Sequence, residues 1–260
     1  MTILDTIAEN ARARVRFAKE AIPTPMIREQ ALALPKGDFA FEKALAKDGL
    51  SFICECKKAS PSKGLIAKDY PYTEIAKSYD AAGADCISVL TEPKWFMGSG
   101  EHLREITKLV NIPCIRKDFT VDEYMIYEAK VLGASAVLLI CSILPPDVVE
   151  KYIKICDELG ISALVETHDE AEVKDAVSVG ARIIGVNNRN LKDFSVDAGN
   201  SRRLRELVPS GTIFVSESGV KTAEDVKGLR DMGADAVLVG ETLMRAEDKK
   251  AKLAELKSLL

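Results

Sequence analysis

A chain of 260 residues is the size of one α/β barrel and can bury a large core without a second domain. With 47% apolar residues, 29% charged residues and a formal charge of −4, it has an ordinary globular composition and lacks the basic balance of a nucleic-acid binder. No apolar run approaches the ~18 residues of a membrane span, and Asp5, Glu9, Arg12, Arg14 and Arg16 interrupt any signal-peptide core, so the expectation is a cytoplasmic protein with no membrane partner.

Leu4, Ile7, Ala8, Ala11, Val15 and Ala18 recur at helical spacing and predict an amphipathic helix over 1–20. Pro23 and Pro25 end it. Short helices follow over 26–34 and 39–47, the second closed near Gly49. Residues 1–50 thus read as a helical extension packed on a barrel that occupies 51–260. From Phe52 onward, apolar strand patterns fall at 52–57, 86–90, 114–117, 136–141, 162–166, 183–187, 213–217 and 236–239. Helical patterns lie between them at 71–82, 99–110, 121–132, 145–159, 168–179, 197–208 and 222–232, and a last one at 247–259. Gly83-Ala84-Asp85, Gly133-Ala134-Ser135, Gly180-Ala181-Arg182 and Gly233-Ala234-Asp235 form a weak repeat, each closing a helix ahead of a strand. Eight evenly recurring units predict the α/β class, as a (β/α)8 TIM barrel with an N-terminal helical extension.

The six cysteines Cys54, Cys56, Cys86, Cys114, Cys141 and Cys156 form no C-x-x-C pair and read as reduced core residues. Two histidines, His102 and His168, cannot supply a His-rich zinc site, and no G-x-S-x-G elbow supports a serine nucleophile. No G-x-G-x-x-G follows the first strand, which argues against a dinucleotide cofactor.

The C-terminal ends of the predicted strands carry the chemistry. Alternation puts Glu55 and Lys57 on one face of the first strand. The third ends at Lys117, the fifth at Glu166, the sixth at Asn187-Asn188-Arg189, the seventh at Ser216-Glu217-Ser218-Gly219 and the eighth at Gly240-Glu241. Any one of these could be the start of a wet loop, but six at the same end match the catalytic face of a barrel. Crowded charges there are expected to move proton affinities, with a lysine beside another cation losing its proton more easily. The glycines of Ser218-Gly219 and Gly240-Glu241-Thr242 suit an anion, with the Glu241 carboxylate turned away or contributing only its backbone. Phe96 and Phe119, more than Trp95, are candidate walls for a flat substrate ring.

Glu55-Cys56-Lys57-Lys58-Ala59-Ser60-Pro61-Ser62, Phe96-Met97-Gly98-Ser99, Lys117-Asp118-Phe119, Val165-Glu166, Gly185 to Leu191, Ser216 to Gly219 and Gly240 to Met244 occur in order across nearly the whole chain. In these stretches the chain closely resembles the indole-3-glycerol-phosphate synthase family of tryptophan biosynthesis. The resemblance implies a carboxy-lyase that closes, decarboxylates and dehydrates a carboxyphenylamino-deoxyribulose 5-phosphate, with no metal and no organic cofactor. By resemblance, Lys117 is the general acid at the ketone, and Lys57 binds phosphate and donates a proton during dehydration. Glu55 and Glu166 hold cationic charge and take protons, Asn187 orients Glu166, and Ser218 is a polar contact near the phosphate. Arg189 with Lys117 faces the substrate carboxylate, and Ser60, Pro61, Phe96, Phe119, Leu138 and Leu191 line the pocket. Glu217, Gly219, Gly240 and Glu241 complete the substrate contacts. The partner is thus a phosphorylated small molecule, and the chain is expected to act as a monomer, with weak self-association as the alternative.

Three other readings compete. A phosphoribosylanthranilate isomerase needs a cysteine where Glu55 and Lys57 stand inward. A Schiff-base aldolase would use Lys117 as nucleophile. A catalytically idle barrel would bind a phosphate ligand without turnover.

Overall fold

The structure, a computed structural model, describes residues 2–190, 194–197 and 199–260. Three helices come first: α1 (Ile3–Ala21), α2 (Thr24–Ala33) and α3 (Ala40–Leu45). A capping box starts α1, in which the Thr2 hydroxyl accepts from the Asp5 N–H and the Asp5 carboxylate accepts from the Thr2 N–H. Helix α2 begins two residues earlier than the sequence expectation, because Pro25 falls in its first turn, where a missing N–H costs no helical bond.

Eight strands follow: β1 (Ser51–Cys56), β2 (Cys86–Leu90), β3 (Cys114–Lys117), β4 (Ala136–Ile140), β5 (Ser162–Thr167), β6 (Ile183–Asn187), β7 (Ile213–Glu217) and β8 (Ala236–Val239). They pair in parallel with their neighbours in sequence, and β8 closes on β1 with Ile53 opposite Leu238. This is the expected (β/α)8 barrel. Between and after the strands run α4 (Tyr72–Ala81), α5 (Gly100–Leu109), α6 (Glu123–Val131), α7 (Pro146–Leu159), α8 (Glu170–Ser178), α9 (Gly199–Arg205), α10 (Ala223–Asp231), α11 (Glu241–Arg245) and α12 (Lys249–Leu256).

The strand boundaries differ from expectation at four places. β1 begins one residue earlier, at Ser51, Lys57 lies just beyond it, Cys141 opens a 3-10 turn (Cys141–Ile143), and β5 runs one residue further. A two-residue pairing of Ala59–Ser60 with Gly64–Leu65 went unforeseen, since two residues carry no alternation to read.

The repeated glycines do what their spacing implied. Gly83, Gly133, Gly180 and Gly233 all adopt positive φ, between 77° and 89°, the left-handed turn that reverses the chain from helix to strand. In two repeats the following aspartate ties the turn to a neighbouring strand, with Asp85 accepting from the Phe52 N–H and Asp235 from the Phe214 N–H.

Alternation along each strand sorts the core into two layers. Ile53, Ile115, Leu138, Leu164, Ile183, Val215 and Leu238 fill the barrel, while Cys54, Cys56, Ile87, Val137, Val165, Phe214 and Val237 pack outward under the helices. Helix α3 presents Phe41, Ala44 and Leu45 to the inner cluster. The Ser51 hydroxyl donates to the Ala44 carbonyl, and the Ser162 hydroxyl accepts from the Glu42 N–H. Both serines begin strands, so α3 closes the N-terminal end of the barrel and leaves the other end for polar groups. All six cysteines are unpaired and only Cys141 is not fully buried. Among the described residues no helix is long and apolar enough to cross a membrane.

Candidate active site

The C-terminal ends of the strands surround a cavity of about 910 Å³, within the range of small-molecule sites. Two charged clusters stand in it. On β3, Lys117 sends its ammonium between two carboxylates, donating to Glu166 Oε2 of β5 at 2.9 Å and to Glu217 Oε2 of β7 at 3.0 Å. These three side chains are only 12%, 3% and 2% exposed, so their charges interact with little screening. At the end of β1, Lys57 Nζ donates to Glu55 Oε1, and the Ser88 hydroxyl of β2 donates to Glu55 Oε2 at 3.2 Å.

Proton affinities in the first cluster are pushed apart. Burial raises the pKa of Glu217, the Glu166 charge adds to it, and Lys117 compensates in part, leaving it at about 7. Burial also works to raise Glu166, but Lys117, His168 and a hydrogen bond from Asn187 outweigh it and hold Glu166 below the ordinary carboxylate range. A carboxylate that keeps its charge thus stands beside one that takes a proton near neutrality, the pattern expected of paired acid and base groups. The weakening expected of a lysine beside another cation does not arise at Lys117. Its neighbours are carboxylates rather than a cation, so although burial favours the neutral amine, Glu166, Glu217 and Glu55 raise its pKa above the usual lysine value.

Space for these carboxylates comes from two glycines. A Cβ on Gly185 of β6 would overlap Glu217 Oε1, and one on Gly240 would overlap Glu55 Oε1 and crowd Lys57 Nζ.

The other predicted residues line the same cavity: Ser60 and Pro61 beyond β1, Phe96 and Phe119 beyond β2 and β3, Leu138 of β4, Asn187 and Arg189 at β6, Ser218 and Gly219 after β7, and Gly240 and Glu241 after β8. Leu191 lies outside the described residues. The Ser218 hydroxyl donates to Asn187 Oδ1 at 3.0 Å, and Ser218 itself sits at φ 66°, a strained conformation that Asn188 helps hold by donating to its carbonyl. Arg189 points one guanidinium N–H at the Phe194 carbonyl. Glu241 accepts from Arg245 Nε at 3.0 Å, which ties the side chain back along its own helix.

The aromatic walls have a buried organiser. Glu92 accepts the backbone N–H groups of Lys94, Trp95 and Phe96, folding the loop after β2 so that Phe96 faces Phe119 at 6.1 Å between ring centres. Trp95 is outside the cavity, under the Lys94 ammonium.

Sequence reasoning missed the roof. Ile3, Leu4 and Ile7 of α1 line the cavity, and Arg14 makes a two-pronged pair with the buried Asp118 at 2.7 and 3.1 Å. Asp118 also accepts from the Thr91 hydroxyl at 2.7 Å and from the Phe119 N–H at 2.8 Å. The first helix therefore grips the residue between Lys117 and Phe119. The apolar stripe of α1 was visible in the sequence, but it does not say which surface the stripe meets.

Solved structures of similar shape include thiamine phosphate pyrophosphorylase from Pyrococcus furiosus (TM-score 0.62, 16% identity, 84% of this chain and 96% of that one). A 3-hexulose-6-phosphate synthase is comparable (TM-score 0.64, 14% identity, 81% and 100% covered). At such identities they speak to the barrel alone. Sequence relatives are far nearer. An indole-3-glycerol phosphate synthase of Ruminiclostridium cellulolyticum is 57% identical over 256 residues, covering 98% of both chains. One of Lachnoclostridium phytofermentans is 49% identical over 270 residues, covering 99% of this chain and all of that one. The model of the indole-3-glycerol phosphate synthase family matches residues 4–256. The chain belongs to the indole-3-glycerol phosphate synthase family.

Proposed function

We propose that this chain converts 1-(2-carboxyphenylamino)-1-deoxyribulose 5-phosphate into indole-3-glycerol phosphate, a carboxy-lyase step of tryptophan biosynthesis. The observation that carries the assignment of roles is the buried Lys117 ammonium held between two carboxylates of divergent proton affinity. In ring closure, the ring carbon bearing the carboxylate attacks the ketone, and Lys117 gives a proton to the ketone oxygen. The bond to the carboxylate then breaks, carbon dioxide leaves, and its electron pair restores the aromatic ring. In dehydration, Lys57 protonates the departing hydroxyl while Glu166 or Glu55 takes the proton from the neighbouring carbon, leaving the indole double bond. Asn187 orients Glu166 and the leaving hydroxyl.

Lys117 can release its proton only as carboxylate charge around it is withdrawn. Uptake of a proton by Glu217 near neutrality does that. Lys57, Ser218, Gly219, Gly240 and the Glu241 backbone are assigned to the phosphate end. Arg189 with Lys117 is assigned to the substrate carboxylate, and Ser60, Pro61, Phe96, Phe119, Leu138 and Leu191 to the flat ring. Binding the phosphate away from the chemistry holds the two reacting carbons together.

A monomer in the cytosol is the proposed working form, and the six unpaired thiols support that location. The Arg14–Asp118 pair supports treating the extension over 1–50 and the barrel over 51–260 as one domain.

Incubation with the carboxyphenylamino substrate tests the reading: indole fluorescence should grow with equimolar release of carbon dioxide. A borohydride-trapped adduct on Lys117 with a ketose phosphate would favour the aldolase instead, and binding without turnover would favour an idle barrel.

A further inference from the structure

Two residues beyond Glu166, and therefore on the same side of the chain, stands His168. Its imidazole lies behind Glu166, outside the cavity lining, with Nε2 at 3.5 Å from Glu166 Oε1. Nδ1, on the far side of the ring, is 3.2 Å from both Glu172 Oε2 and Ser142 Oγ. The Ser142 hydroxyl donates to Glu172 Oε1, so its proton is committed there. What Ser142 and Glu172 offer to Nδ1 is therefore lone pairs, and Nδ1 must carry a hydrogen. Glu172 also accepts the His168 backbone N–H at 2.7 Å, which fixes the ring's base.

This leaves Nε2 buried and without a hydrogen-bond partner among the described residues, with Glu166 Oε1 at 3.5 Å as the carboxylate oxygen in front of it. Facing a carboxylate oxygen without a proton, it would oppose two lone pairs in a dry place, so a proton belongs between Nε2 and Oε1. Ser142 cannot be a triad nucleophile here, because it donates to the glutamate rather than to the histidine and lies outside the cavity.

We propose that His168, held by Glu172 and Ser142, is a positioning residue for Glu166, its Nε2–H fixing Oε1 so that Oε2 stays on Lys117 and the carboxylate stays ionised. The proposal rests on the reading of Glu166 as the proton-taking carboxylate. Charged groups face the imidazole from three elements: Glu166 on β5, Glu217 on β7 and Glu172 in the first turn of α8. Ser142 is the neutral contact from the 3-10 turn, and Asn200 of α9 donates to the His168 carbonyl rather than to the ring. Burial disfavours the imidazolium, but the three glutamates outweigh it and raise its pKa above the ordinary histidine value.

Steady-state kinetics of His168→Leu and His168→Gln across pH test this, with Glu166→Gln as the reference. Losing a partner that orients a metal ligand costs about 10- to 100-fold in activity, and a loss of that order in kcat is expected for His168→Leu. KM should stay within about threefold. The acidic limb of the kcat–pH profile should move upward, since Glu166 loses a cation. His168→Gln keeps an N–H near the Nε2 position and should recover most of kcat. Wild-type kcat and an unmoved limb in His168→Leu would overturn the proposal, as would a glutamine variant no better than leucine. An NMR titration of the His168 ring reads the contact without turnover: Glu166→Gln should lower its pKa, and an unchanged titration would contradict the contact. Full turnover in Glu166→Gln would instead sink the reading of Glu166 itself. That outcome differs from an inactive Glu166→Gln beside a normal His168→Leu.

Discussion

Gly185→Ala separates the needs of the fold from those of the chemistry. Gly185 is buried in β6 without positive φ, so alanine suits its backbone, and trading glycine for alanine in a strand gains about 0.5–1 kcal/mol from the unfolded chain. The added methyl, however, overlaps Glu217 Oε1 and presses on Leu164 Cδ1. The glutamate is the end of a flexible side chain and gives way first, by about 1 Å to regain ordinary contact. That stretches the 3.0 Å Lys117–Glu217 bond beyond hydrogen-bonding distance. A charge-assisted hydrogen bond of this kind is worth about 1.5–3 kcal/mol, which corresponds to about 10- to 150-fold in rate. The cost of a 1 Å misplacement in an active site, about 100-fold, agrees. The same lost bond is only partly offset by the alanine's gain, so thermal denaturation should show Tm lowered by a few degrees with a folded barrel retained, while indole fluorescence shows kcat down by one to two orders of magnitude. A Gly185→Ala variant with turnover within about threefold of wild type would refute the idea that the Lys117–Glu217 contact matters in the reaction.

Stability and titration give two more expectations. Arg14→Ala removes the two-pronged partner of a buried carboxylate and leaves Asp118 with Thr91 and a looser Arg116 at 3.7 Å. With Arg14 about a quarter exposed, a cost of about 2 kcal/mol is expected, or about 4–8 °C in Tm, read by calorimetry. An unchanged Tm would mean that α1 is held by its apolar face alone. Glu217 binds its proton more tightly folded than unfolded, so between its ordinary value of 4.5 and about 7 the folded state carries the extra proton. Its contribution to stability is therefore present below that window and lost as pH rises through it. Urea denaturation should show this downward slope in the wild type and a flatter one in Glu217→Gln, and equal slopes would place the proton elsewhere.

The barrel was legible because its signals repeat. Strand and helix periods alternate eight times, and the Gly-Ala turns recur at a spacing of two units, so a missed boundary such as Lys57 or Cys141 changed nothing in the topology. The site was legible for a related reason: a charge at the end of an apolar strand is costly unless it is used, and six of them marked one face. What stayed hidden were relations between side chains. A lysine of the mouth was expected to weaken beside another cation, but in space the neighbours of Lys117 come from β5 and β7, and they are glutamates. Nothing in the local sequence around Gly185 or Gly240 shows that their missing side chains make room for carboxylates supplied by other strands. His168 read only as too few histidines for zinc, because its partners Ser142 and Glu172 sit on separate elements.

The central claim is that Lys117 is the proton donor at the ketone, and Lys117→Met tests it most directly. Methionine keeps the length and loses the charge, so circular dichroism should report an intact barrel. Indole fluorescence after mixing with the carboxyphenylamino substrate should then show turnover nearly abolished, a loss of about 100-fold or more as for other general acids. A folded Lys117→Met variant that forms indole-3-glycerol phosphate at close to the wild-type rate would contradict the account.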